Sequence, residues 1–200
     1  VQPAEWIVDY SKFQAWEIFG PGVSALLLLS NLATVAGLIL IIALNARAFR
    51  NPRPRPVAIG LVVLSTVAII TISNKTLSPQ YLLWLGGPMA ALLILRSTAT
   101  EQEKSTLRRL TIQLLLLAAF TQLVYPLLYD GLLGHDGRAM IIISTLVTTL
   151  RNFALVAFTV EVCRLACVAT VTPSASIQAV WRHSGQTPSG CRSPGRGSRA

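Results

Sequence analysis

The sequence predicts an all-α fold, a polytopic bundle of five transmembrane helices, and three observations carry that prediction. Of 200 residues, 52% are apolar and only 12% charged, whereas soluble domains carry about 25% charge. The mean hydropathy is +0.58. The charges sit in short stretches between five long apolar runs. So much apolar surface excludes disorder as the main state. Three cysteines leave an odd one over, which excludes a disulfide scaffold. A small soluble enzyme does not fit this balance.

An outer segment, residues 1–22, precedes the first run. It sets Glu5, Asp9 and Glu17 among Trp6, Tyr10, Phe13, Trp16 and Phe19, a mixture that suits a helix lying in the membrane interface. The transmembrane region, residues 23–160, holds the runs Val23–Leu44, Val57–Ser73, Tyr81–Leu95, Leu110–Tyr129 and Ala139–Val160. About 20 helical residues cross a hydrocarbon core of ~30 Å. Each run therefore spans, the short third one by borrowing Ser78–Gln80. No run alternates with period two, which excludes a barrel. Gly86, Gly87 and Pro88 interrupt the third run and predict close helix packing there. Residues 161–200 form a cytoplasmic end, and from Thr172 onward Ser, Pro, Gly and Arg dominate. That composition predicts a disordered basic tail.

Lys and Arg give the orientation. Arg47, Arg50, Arg53 and Arg55 follow the first run; Arg96, Lys104, Arg108 and Arg109 follow the third; Arg164, Arg182, Arg192, Arg196 and Arg199 follow the fifth. The other side holds Lys12, Lys75 and Arg138. By the positive-inside rule, the amino-terminal segment is outside and the carboxyl terminus cytoplasmic, in a multi-pass protein of the cell membrane. A net charge of +9 would suggest nucleic acid, but that needs one solvated basic face, so no nucleic acid partner is expected. Val1 opens the chain in a polar, aromatic stretch without a signal peptide. The expectation is a carboxyl-terminal part of a longer membrane protein.

Function in such a chain resides in the polar groups kept at membrane depth. The short link Ser73–Tyr81 offers Asn74, Lys75, Ser78, Gln80 and Tyr81 in one patch, with Ser78 and Pro79 where a helix N-cap and first turn belong. Free amides of that turn together with Lys75 would hold an anion, and a lipid-borne phosphate is the natural one. The alternative is a capped hairpin with a snorkelling lysine. Arg151 is the costliest residue, since a central arginine costs at least about 2.5–3.5 kcal/mol. Glu161, ten residues on, lies too far along the same helix to reach it. A lipid phosphate or a partner outside this chain is implied; the alternative is pairing with carbonyls or headgroups. Glu17 is a candidate catalytic base, or a solvated acid. His135-Asp136 is a weak acid–base or metal signal, and Cys163 and Cys167 suit apolar packing better than lipidation. Neither a metal site nor a cofactor motif is present.

The stretch NKTLSPQYLLWLGGP, Asn74 to Pro88, resembles the signature NKxLSPQYLLWLxP of bacterial glycosyltransferase family 87, membrane enzymes of the GT-C type. YSKFQAWEIFGPG, Tyr10 to Gly22, and the pair Arg151-Asn152 are similar to further family features in the same order. Gly86-Gly87 departs from it, since relatives tend to carry bulkier apolar residues. The resemblance implies transfer of a hexose, mannose or similar, from a polyprenyl-phosphate donor to a glycolipid or cell-wall glycan acceptor on the extracytoplasmic side. It also implies that the catalytic carboxylate lies upstream of this chain, that Lys75 and Arg151 serve the donor phosphate, and that the chain alone is inactive. The competing readings are a lipid-linked-sugar transporter or flippase fragment and a structural membrane subunit without a ligand.

Overall fold

The structure, a computed structural model, describes residues 5, 7–10, 16–51, 54–74, 79–133 and 137–171. It is an all-α bundle. The helices are α1 (Val23–Arg50), α2 (Pro56–Ser73), α3 (Leu83–Ile94), α4 (Glu101–Gln122), α5 (Tyr129–Leu132) and α6 (Arg138–Val171). Tight 3-10 turns, Pro79–Leu82 and Leu95–Thr98, extend α3 at both ends. Five helices are long and apolar enough to cross a membrane, α3 and α4 with their flanking turns and α5 not among them. This is a membrane protein.

The amino-terminal segment departs from expectation. It holds two strands, β1 (Ile7–Tyr10) and β2 (Trp16–Phe19), paired antiparallel with Asp9 opposite Glu17. Aromatic and β-branched residues are dense there, and they favour a pleated ribbon over a helix. Gly22, at φ +86°, then turns the chain into α1, a left-handed conformation that glycine adopts without penalty.

α2 is the centre of the bundle and packs against α1, α3 and α6. Half of it is buried, against 6% of the α1 span, so α1 is the lipid-facing edge. Small residues set the spacing. A Cβ on Gly60 would stand 2.6 Å from Leu92 of α3, and one on Gly37 would stand 2.5 Å from the Ser73 hydroxyl. Gly86 and Gly87 are different: a Cβ on either meets nothing within 4 Å. They face outward, and α3 runs unbroken through Pro88. The packing expected of that triplet therefore occurs at Gly37 and Gly60 instead.

The fourth run is displaced from its expected bounds. α4 begins at Glu101 because Thr100 and Glu103 form a capping box: Glu103 N donates to Thr100 Oγ1 at 3.3 Å and Thr100 N to the Glu103 carboxylate at 2.8 Å. That reciprocal pair satisfies two free amide donors. The helix ends at Gln122, before a wide turn over Leu123–Leu127 that holds the cis Tyr125–Pro126 bond and an extended Tyr125. A residue preceding proline is pushed out of helical geometry.

α1 and α6 run past the ends of α2 and α4, and α5 packs on the first turns of α6, where a Cβ on Gly131 would stand 3.0 Å from the Ser144 hydroxyl. Thr34 Oγ1 donates to the carbonyl of Ser73, the last residue of α2, at 2.9 Å. At ~1.5 Å per residue, the stretch Val23 to Ala33 projects about 16 Å past that end. Likewise Arg151 meets Thr121 in the last turn of α4, and Arg138 to Leu150 runs about 20 Å further. Both projections expose large apolar side chains, among them Leu28, Leu29, Ile142 and Leu146. Such surface belongs in lipid. The ends of α2 and α4 consequently lie below the level that α1 and α6 reach.

Candidate functional site

α4 and α6 run antiparallel and are joined by polar contacts at two levels. Nearer the end rich in Lys and Arg, Glu161 accepts from Arg109 with one carboxylate oxygen and from Gln113 Nε2 with the other, at 2.7 Å. As the sequence spacing demanded, Glu161 does not reach Arg151. Further along, Arg151 Nε donates to Thr121 Oγ1 at 3.2 Å and Nη1 to Asn152 Oδ1 at 2.9 Å. Arg151 is only 4% exposed.

That arginine is under-satisfied. A guanidinium carries five N–H donors, and two contacts to neutral oxygens use two of them. Among the described residues, no carboxylate lies within ion-pair reach of Arg151. A buried cation without a counter-charge is costly unless an anion joins it. One turn earlier, the Thr148 hydroxyl is buried without a hydrogen-bond partner among the described residues.

Thr121 connects this cation to a cavity. Its hydroxyl donates to the Leu117 carbonyl at 2.8 Å and accepts from Arg151, so its one proton is committed. The same residue lines a cavity of about 570 Å³ with Gln80, Gln122, Tyr125, Pro126 and Tyr129. The two tyrosine rings meet edge to face at 5.3 Å. Among the described residues no charged side chain lines this cavity, and Arg151 stands one hydroxyl behind its wall. Its amides and phenols share the wall with Leu82, Leu83 and Ala118, which makes it an amphipathic recess at the ends of α3 and α4.

The patch expected of the α2–α3 link is divided. Gln80 lines the recess, and Tyr81 packs against Trp84 with ring centroids 4.7 Å apart. Asn74 instead borders a separate groove of about 470 Å³ between α1 and α2, with Thr34, Gly37 and Ser73. Lys75 and Ser78 lie outside the described residues, as do His135 and Asp136. Glu17 sits on β2 opposite Asp9 and is not part of the recess wall. Cys163 and Cys167 border an apolar groove of about 800 Å³ between α1, α2 and α6. Thr121, Gln122, Tyr125 and Tyr129 were missed from sequence. Their signal was present: amides, hydroxyls and a proline gather at the end of an otherwise apolar run.

No family model, curated protein or solved structure matches this chain.

Proposed function

We propose that this chain supplies donor-binding helices to an integral-membrane glycosyltransferase. The enzyme moves a hexose, with mannose the sugar the family resemblance suggests, from a polyprenyl-phosphate carrier to a glycolipid or cell-wall glycan on the extracytoplasmic side. One observation carries the reading: a buried arginine, with no carboxylate partner among the described residues, backs a recess at the ends of α3 and α4. A lipid-borne phosphate would bring the missing counter-charge to that recess and keep its chain in the surrounding hydrocarbon.

The chemistry follows from the charge. The acceptor hydroxyl attacks the anomeric carbon, the bond from that carbon to the phosphate oxygen breaks, and polyprenyl phosphate leaves with an added negative charge. A fixed cation in a water-poor site stabilises that charge more than water does. Arg151 acts as a positioning residue behind Thr121, while Gln80, Gln122, Tyr125 and Tyr129 are the groups placed to meet phosphate and sugar. The base that takes the acceptor proton is assigned to no residue of this chain.

The test is binding to the full chain in lipid nanodiscs. Polyprenyl phosphate should compete with a fluorescent polyprenyl-phosphate mannose analogue, and polyprenol without phosphate should not. Arg151→Leu should abolish the difference. Equal competition by the alcohol overturns the phosphate assignment. Binding without sugar transfer in any full-length context would place the protein among carriers.

A further inference from the structure

At the opposite end of the bundle, a cation-lined surface cavity has no part in the proposed donor site. The turn Leu95–Thr98 that closes α3 brings Arg96 beside the first turns of α4. There Glu101, Lys104, Arg108 and Arg109 join it around a cavity of about 480 Å³, with Ile112 among its walls. Two of the four cations are neutralised nearby: Lys104 by Glu101 at 2.7 Å, and Arg109 by Glu161. Arg96 and Arg108 make no ion pair or side-chain hydrogen bond among the described residues. Glu101 also feels the field of Arg96, but neither Arg96 nor Arg108, both exposed, has a carboxylate in direct contact among the described residues, so the cavity keeps an excess of positive charge.

The helix repeat decides what fills it. Residues 101, 104, 108, 112 and 115 recur every three or four positions, so they form one stripe along α4. The stripe begins charged and becomes apolar, and Ile112, Leu115 and Leu116 are exposed large hydrophobics. We propose that this cavity binds the phosphodiester headgroup of an anionic glycerophospholipid, with an acyl chain lying along Ile112 and Leu115. A planar guanidinium pair matches phosphate oxygens, and the exposed aliphatic stripe gives the chain its bed. A soluble phosphate would use the arginines but leave that stripe without an occupant.

The test is native mass spectrometry of the full chain in detergent, titrated with phosphatidylglycerol or phosphatidylcholine. Each basic side chain near an anionic lipid surface contributes about fivefold. Arg96→Gln with Arg108→Gln should therefore weaken retention of one phosphatidylglycerol by about 30-fold and leave phosphatidylcholine unchanged. Arg47→Gln with Arg50→Gln, basic residues of α1 at the same end, should keep the preference, and so should Arg108→Lys. Millimolar glycerol phosphate should not displace the lipid. Equal retention of both lipids by the unaltered chain, an equal loss in both double variants, or displacement by glycerol phosphate overturns the proposal. Should the first double variant fail to give a folded species, Arg108→Gln alone decides, with a loss of about fivefold expected.

Discussion

Arg151 and Thr121 meet side chain to side chain, guanidinium Nε to hydroxyl at 3.2 Å, where α4 ends and α6 continues. The contact explains how an arginine enters a membrane bundle: it lies where a neighbouring helix stops, beside a recess, and not against lipid. It also defines what the arginine lacks. A hydroxyl and an amide oxygen satisfy two donors but supply no counter-charge.

An under-satisfied buried cation predicts a split between stability and binding. Arg151→Met removes a charge whose insertion costs about 2.5–3.5 kcal/mol and loses two hydrogen bonds from a charged donor, worth about 1.5–3 kcal/mol each. The first term offsets much of the second, so thermal unfolding in detergent should shift by no more than a few degrees while polyprenyl-phosphate binding disappears. A fall of ten degrees or more would make Arg151 a structural residue.

The same residue shows how much the sequence disclosed. Its cost was legible because charge inside an apolar run is rare, and its separation from Glu161 followed from helix spacing alone. Its partner was not legible, because Thr121 comes from a helix whose end was set too late. Both ends of α4 had signals, Thr100 with Glu103 at one and Pro126 at the other, but hydropathy outweighed them. Hydropathy reports where lipid is tolerated, whereas caps and prolines report where a helix can begin and end. The division of Asn74 from Gln80 is a tertiary outcome: α1 takes the first and α4 the second, and spacing within the link carries no information about either. For β1 and β2, aromatic density pointed to an interface without specifying extended backbone.

Glycine substitutions should separate packing from decoration. Gly86→Ala and Gly87→Ala place a methyl in open space on α3 and should stabilise by up to about 1 kcal/mol through helix propensity. Gly60→Val drives a branched side chain into Leu92 and should cost about 1–3 kcal/mol by overpacking. Thermal unfolding of the three variants checks the ranking. Destabilisation by Gly86→Ala would mean that this face is covered.

Glu103 should be worth more than either partner it holds. Its carboxylate accepts from the Thr100 amide and hydroxyl within the capping box and also from Arg55 at the start of α2. Thr100→Ala should cost about 1 kcal/mol, and Arg55→Ala about as much for a half-buried ion pair. Glu103→Ala removes both links at once, and a double-mutant cycle on Arg55 and Glu103 should show coupling above 0.5 kcal/mol, about the limit for independent sites. An additive cycle would reduce the ion pair to a surface contact.

Glu161 offers the sharpest measure of how α4 and α6 are joined. Both of its oxygens are taken, one by Arg109 and one by Gln113, while Gln113 Oε1 is buried without a partner. Glu161→Ala should strand Arg109 and Gln113 together. Its side chain is 24% exposed and that of Arg109 59%, so the cost falls below the roughly 3–5 kcal/mol of a fully buried pair, at about 1–2 kcal/mol. Glu161→Gln keeps the hydrogen bond and loses the ion pair, so it should recover about half of that loss in a thermal-unfolding series. Arg109→Met on the Glu161→Ala background should restore part of that stability, because the stranded cation is then gone while Gln113 stays without its acceptor. Failure of that rescue would show that the pair is held by packing from α4 rather than by charge.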